Sequence, residues 1–419
     1  MINYKGFLPY IIVISMGLVS GMAFWIDDWM ALPLVGLAEV ACVFVATKSK
    51  NHLSSFLLYR AGLQIVFLSS ITINTTFDYN VLIKFVSFIL IIITAAACYF
   101  TFAKMNRAAA WCLSGVSVDL LLYYIAFPIS PSLLLIPYAT YYINFFSVGW
   151  AFPFVIFFYY FMVFAMSWHN LNYFRIVIAA IFLVCAFAIP FLFIEKSSKV
   201  PNIAIIHGNI NYKSRNDLKK MINILSDLPT KTITVTPENF SPISPVKVPQ
   251  RILIEWTKYG RDIIFGSLTE SNKIKKHNYN SAYHIAHGEI IAEHRKTKLM
   301  PLEEKFKILR WPKPTAFTIY GEKIQPLIGY EVMRAFLPQY NTDIPFIYLV
   351  MADARGYGDM GDRMLRLASQ ALAASTNRYV ALATNNGESA IFDSYGNMIL
   401  FADNKSGISV LTLNAYDRN

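Results

Sequence analysis

The sequence predicts an α-helical membrane domain followed by a layered domain of mixed strands and helices. The chain of 419 residues is 55% hydrophobic and only 15% charged, whereas a soluble domain usually carries about 25% charged residues. The charges are also uneven, because residues 1–200 contain 10 Lys/Arg and 6 Asp/Glu, and the other 27 and 20 lie in residues 201–419. We therefore predict a helical domain over 1–195, a hinge over 196–201 and a second domain over 202–419.

The first half contains seven apolar segments of about 20 residues, the length that a helix needs to cross a bilayer. Lys and Arg lie in alternate loops, which places the N-terminus in the cytoplasm by the positive-inside rule. Residues 128–146 are apolar but interrupted by Pro, so we predict an interfacial or re-entrant segment there. The predicted spans are 7–26, 29–47, 53–74, 81–102, 108–127, 147–167 and 174–194.

Arg60 and Asp119 are charged residues within these predicted spans. Arg60 is near the predicted cytoplasmic end, so its side chain is expected to extend towards the aqueous interface. Asp119 lies deeper, where a charge is costly. It is either a polar contact near a substrate channel or a structural residue that is hydrogen-bonded between helices.

Charge and cysteine content argue against several classes of function. The net charge is +11, but it is dispersed without a Lys/Arg run, so we expect no direct binding of nucleic acid. Contact with the headgroups of a phospholipid bilayer accounts for the sign equally well. No Cys-x-x-Cys pair exists and the histidines lack ligand spacing, so we predict no metal and no cofactor. The four cysteines all lie in the first half: Cys42, Cys98, Cys112 and Cys185.

The second half alternates short β-branched runs with amphipathic segments, which predicts a layered α/β or α+β domain. Helices are expected over 215–227, 247–258 and 360–376. Strands are expected over 203–207, 232–236, 262–266, 281–285, 326–330, 346–351, 379–384, 390–393 and 408–413.

Polar residues follow several of these strands, where α/β sheets collect functional groups. Glu238 follows one strand, Tyr330 and Glu331 lie at the end of another, and Asn385 follows a third. Lys296 lies near the end of a long run over 279–298. Taken singly, each charged residue among them is more often a solvated surface charge.

The order of these motifs resembles the nitrilase, or carbon–nitrogen hydrolase, superfamily, and within it the apolipoprotein N-acyltransferases. That resemblance implies an αββα sandwich after the membrane domain. It covers essentially all of 201–400. The motifs are Gly208-Asn209-Ile210, Pro237-Glu238, Asn280-Ser281, Lys296 with Leu299, Pro301 and Glu304, Gly329-Tyr330-Glu331, and Thr384-Asn385 with Gly387, Ser389 and Ala390.

The resemblance also implies roles for individual residues. Glu238 would be the general base, Lys296 the group that stabilises the oxyanion, and Glu304 a second carboxylate. The family's Cys-Tyr-Glu motif resembles Gly329-Tyr330-Glu331, so glycine occupies the position of the nucleophile. Tyr330, Glu331 and Asn385 would be binding residues. The remnant charges either still bind a guest or persist as a buried salt-bridge network.

Three functions remain open from the sequence. The chain most resembles the conjugal-transfer TraB branch, which implies a bacterial inner-membrane protein with a periplasmic second domain and no thioester chemistry, and with conjugation-apparatus proteins as partners. The alternative is an N-acyltransferase that moves an acyl chain from phospholipid to the N-terminus of a lipoprotein. The third is a hydrolase in which Glu238 activates water.

Overall fold

The computed structural model divides into two compact units, Met1–Phe146 with Trp150–Ile194, and Ser147–Gly149 with Glu195–Asn419. It describes residues 4–23, 31–48, 51–70, 77–124, 160, 163, 202–208, 223–224, 231–240, 244–271, 277–299, 308–335, 345–354, 358–376, 378–394, 396–403 and 409–413.

The first unit is helical over its described residues. The backbones of helices α1 (Tyr4–Ala23) and α3 (His52–Ser70) approach each other closely, since a Cβ on Gly17 would lie only 2.3 Å from the carbonyl oxygen of Tyr59. Gly62 makes the reciprocal approach to α1. The helices are α1 (Tyr4–Ala23), α2 (Ala31–Lys48), α3 (His52–Ser70), α4 (Phe77–Phe102) and α5 (Arg107–Tyr124).

A buried polar network joins helices of this unit. Arg60 Nη1 donates to Asp119 Oδ1 at 2.9 Å, and the Tyr160 hydroxyl donates to Asp119 Oδ2 at 2.6 Å. Trp111 Nε1 donates to Glu39 Oε1 at 3.1 Å. The expectation that Arg60 extends to an aqueous interface is wrong, since it is buried on Asp119. Of the two readings of Asp119, the structure supports the structural one.

The prediction of a membrane domain is wrong. Among the residues that the structure describes, no helix has both the length and the apolar character needed to cross a bilayer. The seven predicted spans are therefore not supported. The multi-pass inner-membrane location, with a cytoplasmic N-terminus and a periplasmic second domain, is contradicted with them.

The membrane domain was wrongly predicted because an apolar sequence segment can be explained in more than one way. A helix that is apolar on all sides is buried either in lipid or in the interior of a large protein, and the apolar pattern alone does not separate the two. Segments counted as spans also contain Glu39, Arg60 and Asp119, whose side chains are buried among protein groups. The segments 128–146 and 174–194, and nearly all of 147–167, lie outside the described residues.

Over its described residues the second unit contains two six-stranded sheets. The strands are β1 (Ile203–His207), β2 (Ile233–Val235), β3 (Asp262–Glu270), β4 (Asn278–Ala286), β5 (Glu289–Arg295), β6 (Phe317–Ile319), β7 (Glu322–Ile328), β8 (Ile347–Asp353), β9 (Tyr379–Asn385), β10 (Ser389–Phe392), β11 (Met398–Ala402) and β12 (Ser409–Leu413). The first sheet has the order β12-β1-β2-β3-β4-β5 and the second β11-β10-β9-β8-β7-β6. In each sheet a parallel core, β1-β2-β3 or β7-β8-β9, continues into antiparallel neighbours.

The two sheets pack face to face around one apolar core. Side chains from both sheets, including Ile205, Ile264, Ile328 and Leu349, form this buried cluster. Helix α6 (Gln250–Trp256) contacts β4 and β5, and helix α8 (Gly358–Thr376) contacts β9 and β10. The αββα prediction for this unit is therefore confirmed.

Most predicted elements of this unit have observed counterparts. The strand expected over 326–330 ends earlier, at Ile328, and a short helix α7 (Glu331–Arg334) follows almost at once. Strands β5, β6 and β11 were not predicted. Nearly all of the helix expected over 215–227 lies outside the described residues, as does the predicted hinge over 196–201.

Candidate functional site

Glu238 lies in the turn after β2, and Gly266 on β3 makes room for that turn. Gly266 N–H donates to Thr236 Oγ1 at 2.9 Å, and Phe240 N–H donates to the Gly266 carbonyl at 3.0 Å. A Cβ on Gly266 would lie 2.2 Å from the carbonyl oxygen of Pro237. Because a main-chain oxygen cannot give way cheaply, glycine at 266 is a condition for the position of Glu238.

The carboxylate of Glu238 is buried and accepts hydrogen bonds from a side-chain amide, an ammonium group and a main-chain N–H. Asn280 Nδ2 donates to Oε1 at 2.5 Å and Lys296 Nζ donates to the same oxygen at 3.0 Å. The Asp353 N–H donates to Oε2 at 3.0 Å. Three donors, one of them a cation, favour the ionised form of a carboxyl group. Glu238 is therefore held as an anion in a fixed orientation.

Lys296 lies directly after β5 and is held by main-chain contacts on both sides. Its N–H donates to the Asn280 carbonyl at 2.8 Å, and its own carbonyl accepts from Trp311 N–H at 3.1 Å. The side chain is 3% exposed and its ion-pair partner Glu238 is 7% exposed. Together they form a buried pair with no net charge, so removing either partner would leave an uncompensated charge.

Gly329 forms the sharp turn between β7 and α7. It has a φ of +51°, a conformation that L side chains adopt only at a cost. Its N–H donates to the Met351 carbonyl at 2.7 Å. A Cβ at this position would lie 2.7 Å from Glu238 Oε2 and 3.1 Å from Lys296 Nζ. The structure thus brings Glu238, Lys296 and Gly329 together. The Glu238 carboxylate lies so close to Gly329 that it would contact a side chain at that position.

Glu331 accepts four hydrogen bonds and links the Gly329 turn to the Lys296 loop. Its Oε1 accepts from the N–H and hydroxyl of Thr297, each at 2.7 Å. Its Oε2 accepts from Ile328 N–H at 2.8 Å and lies 3.0 Å from His294 Nε2. Burial alone would raise the pKa of Glu331, but His294 and the hydrogen bonds from Thr297 outweigh it and lower that pKa to about 2.

His294 is oriented by a second main-chain contact. The Thr315 N–H donates to His294 Nδ1 at 3.1 Å, so the ring proton is assigned to Nε2, from which it donates to Glu331. Glu331 was expected to be a binding residue. The structure places it as a fully buried brace behind the turn, where it positions the neighbours of Lys296 and Gly329.

The other predicted site residues are distributed differently. Tyr330 is buried directly before α7. Asn385 is buried at the end of β9, opposite Asp353 of β8, and its carbonyl accepts from Ala354 N–H at 3.0 Å. Glu304 lies outside the described residues.

Two serines could in principle replace the missing nucleophile, and both have other partners. Ser389 Oγ contacts His207 Nδ1, Thr384 N–H and Thr384 Oγ1, each at 2.9 Å. Ser281 Oγ donates to Glu293 Oε1 at 2.8 Å. Ser281 follows Asn280 on β4, and successive strand side chains point to opposite faces. The hydroxyl of Ser281 is therefore on the other face of the sheet from Glu238.

Sequence reasoning missed two groups that hold the carboxylate. The Asn280 side chain was noticed as part of a motif but was not assigned to the site. The Asp353 contact is made by the main chain, so side-chain identity gives no signal for it. Within the described ranges no group of three His, Cys, Asp or Glu could hold a metal ion.

Residues 245–417 match the family described as carbon-nitrogen hydrolase. The match begins after Glu238 and includes Lys296 and Gly329. No curated protein matches the chain.

Several solved structures are similar to part of the chain. A carbon-nitrogen hydrolase superfamily protein from Xanthomonas campestris is 15% identical over 51% of this chain and 91% of its own, with a TM-score of 0.41. Nit3 of Saccharomyces cerevisiae is 18% identical over 51% of this chain and 90% of its own, with a TM-score of 0.41. An amidase from Nesterenkonia AN1 is 15% identical over 52% and 93%, with a TM-score of 0.42. By its family match, this chain contains a carbon-nitrogen hydrolase domain over residues 245–417.

Proposed function

We propose that the carbon-nitrogen hydrolase domain of this chain is a nucleophile-free binding domain that holds its guest without forming a thioester. Glycine at position 329 supports this proposal, because covalent catalysis needs an attacking oxygen, sulfur or nitrogen atom at the reacting centre. The chain has no cysteine in residues 201–419. The resemblance of the sequence to the TraB branch supports a role as a component of conjugal transfer with partner proteins.

The single observation that carries the proposal is the contact at Gly329. The space beside this residue is bounded by Glu238 Oε2 at 2.7 Å from the position of a Cβ. A side chain there would have to displace the carboxylate, which the Asp353 N–H also holds. The site is thus adapted to the absence of a side chain at 329.

The third function, hydrolysis by water that Glu238 activates, has less support. Glu238 would act as the base in this function, as it would in the acyl-transfer alternative. Its Oε1 accepts from Asn280 and Lys296, and its Oε2 accepts from Asp353. No residue of the site argues specifically for water as the group that loses the proton.

The alternative function, N-acyl transfer, is favoured by one specific observation. Glu238 and Lys296 are both present and 3.0 Å apart, so a carboxylate could accept a proton from an incoming amine while the cation stabilises an oxyanion. Without a nucleophile the acyl chain would pass directly from phospholipid to the amine. That route lacks the covalent intermediate that divides the barrier into two smaller steps.

One assay separates the proposal from this alternative. The purified full chain is incubated with detergent micelles that contain phospholipid and a diacylated lipopeptide, and N-acylated peptide is measured by mass spectrometry. We expect none above the level of a protein-free control. Turnover that disappears in Glu238→Gln and Lys296→Ala, and persists in the control Glu293→Gln, would establish the acyltransferase instead.

A further inference from the structure

Lys296 lies one residue beyond the end of β5, the last strand in the order of the first sheet. On one side β4 supports it, where the Lys296 N–H donates to the Asn280 carbonyl at 2.8 Å. The ends of strands open more readily than their centres. The ammonium group, however, lies 3.0 Å from Glu238 in a buried ion pair that depends on its position. The ion pair therefore calls for a second support of the Lys296 main chain.

Trp311 supplies this support in two ways. Its N–H donates to the Lys296 carbonyl at 3.1 Å, and its ring centroid lies 4.6 Å from Cζ of Arg295, the residue directly before Lys296. The ring centroid of Tyr279 on β4 lies 4.3 Å from the same Cζ. The faces of aromatic rings attract a guanidinium group. Arg295 is thus held by two rings, and we call Tyr279, Arg295 and Trp311 the aromatic clamp.

Glu293 fixes the orientation of Arg295 within the aromatic clamp. Its two carboxylate oxygens accept from Arg295 Nε and Nη2, each at 2.9 Å. This forked geometry determines the plane of the guanidinium group. Ser281 Oγ on β4 donates to the same carboxylate at 2.8 Å. The guanidinium therefore presents a fixed face to the ring of Trp311.

The aromatic clamp lies on the opposite face of the sheet from the Glu238 site. Ser281 pairs in register with Arg295, so their side chains share a face. Successive strand residues point to opposite faces, and the neighbouring Asn280 directs its amide at Glu238. The aromatic clamp therefore acts on the ammonium group of Lys296 through the main chain.

We infer that Trp311 is a positioning residue for the Lys296 ammonium group, acting through Arg295 and the Lys296 main chain. The segment that carries Trp311 is itself anchored to β4, because Leu309 N–H donates to the Asn278 carbonyl at 2.9 Å. This inference goes beyond the proposed function, since the position of Lys296 matters equally to a domain that holds a guest and to one that transforms it.

The exchange of the Lys296 ammonium protons with water tests this inference. Exposed ammonium groups exchange too fast to give a ¹H–¹⁵N NMR signal at neutral pH, whereas a buried, ion-paired one is protected. The full-length protein is labelled with ¹⁵N-lysine, and the Lys296 signal is identified by its absence in Lys296→Arg. In Trp311→Ala, which keeps the N–H and removes the ring, exchange should become roughly 10-fold faster. Trp311→Phe keeps an aromatic face and should exchange at nearly the unmodified rate.

Leu253→Ala is the matched control, because it removes packing between α6 and the first sheet, away from the aromatic clamp. Unchanged exchange in Trp311→Ala would overturn the inference. Equal acceleration in Trp311→Ala and Leu253→Ala would also overturn it, since the ring would then contribute only general stability. No protected Lys296 signal in the unmodified protein would do the same. If Trp311→Ala does not fold, Arg295→Met, which removes the guanidinium group, gives the answer by the same measurement.

Discussion

Replacing Glu331 by Gln should cost the protein a large part of its stability. The carboxylate of Glu331 is fully buried and accepts two hydrogen bonds at each oxygen. An amide can keep one of these ends, but its NH₂ group would then face two donors at the other. Leaving buried donors unsatisfied costs about 1–3 kcal/mol each, so we expect Glu331→Gln to lower the free energy of unfolding by about 3–5 kcal/mol.

Urea denaturation measured by circular dichroism gives this difference directly, with Glu270→Gln as the control. Glu270 pairs with Lys247 on the surface, with both side chains mostly exposed, and such pairs contribute about 0–1 kcal/mol. A loss below about 1 kcal/mol in Glu331→Gln would refute the reasoning, since it would mean that the four contacts do not hold the turn and the Lys296 loop together.

The contribution of Glu331 to the free energy of unfolding should depend on pH, and the lowered pKa of its carboxyl group determines the direction. The pKa of Glu331 falls from 4.5 to about 2 on folding, so the folded state holds the ionised form more strongly than the unfolded state does. The contribution is complete above pH 4.5 and is lost as pH falls towards 2. The difference in free energy of unfolding between the unmodified protein and Glu331→Gln should therefore become smaller as the pH falls from 4.5 towards 2.

Three further predictions concern packing and buried charge. Gly329→Ala should destabilise the protein more than Gly321→Ala. Both positions have positive φ, but a Cβ at 329 meets Glu238 whereas a Cβ at 321 meets open space. The melting temperatures of the two variants measure the difference, and equal decreases in melting temperature would contradict the contact. Gly266→Ala should lower the free energy of unfolding by about 1–3 kcal/mol or more, because the added methyl group would overlap the carbonyl oxygen of Pro237. An unchanged midpoint of urea denaturation would contradict this prediction. Asp119→Asn should lower the free energy of unfolding by about 3–5 kcal/mol, because it leaves buried Arg60 without its carboxylate partner. The double variant Arg60→Met with Asp119→Leu should recover much of that loss. No recovery would mean that packing at these positions matters more than charge.

The sequence predicted the second unit well because its signals are local. Runs such as Ile203–His207 and Tyr379–Asn385 are short and rich in β-branched or aromatic residues, and they became buried strands. Strand β5 (Glu289–Arg295) was missed because it mixes charged and apolar residues, and β6 (Phe317–Ile319) because three residues give a weak signal. The composition of β11 (Met398–Ala402), which is entirely apolar, does not explain why it was missed. The spans of the first unit were predicted from an apolar pattern, and that pattern alone does not determine what surrounds a helix.

The site could be anticipated only in part. The motif around Glu238, Lys296 and Gly329 identified residues that the fold brings within contact distance. Glu331 was given a binding role, but its oxygens are used inside the protein. The contribution of Asp353 comes from its main chain, and the hydrogen bond from Asn280 depends on which way its amide points. Neither property can be inferred from residue type.

The most direct test of this account is the mass of the intact protein after exposure to an activated acyl donor, such as a p-nitrophenyl ester. Activated esters also acylate surface lysines, so peptide mapping locates every acyl group, and Gly329→Cys is treated in the same way for comparison. The unmodified chain should carry no acyl group at the residues around Glu238 and Lys296. An acyl group attached to the unmodified chain at any residue around Glu238 and Lys296 would contradict the account.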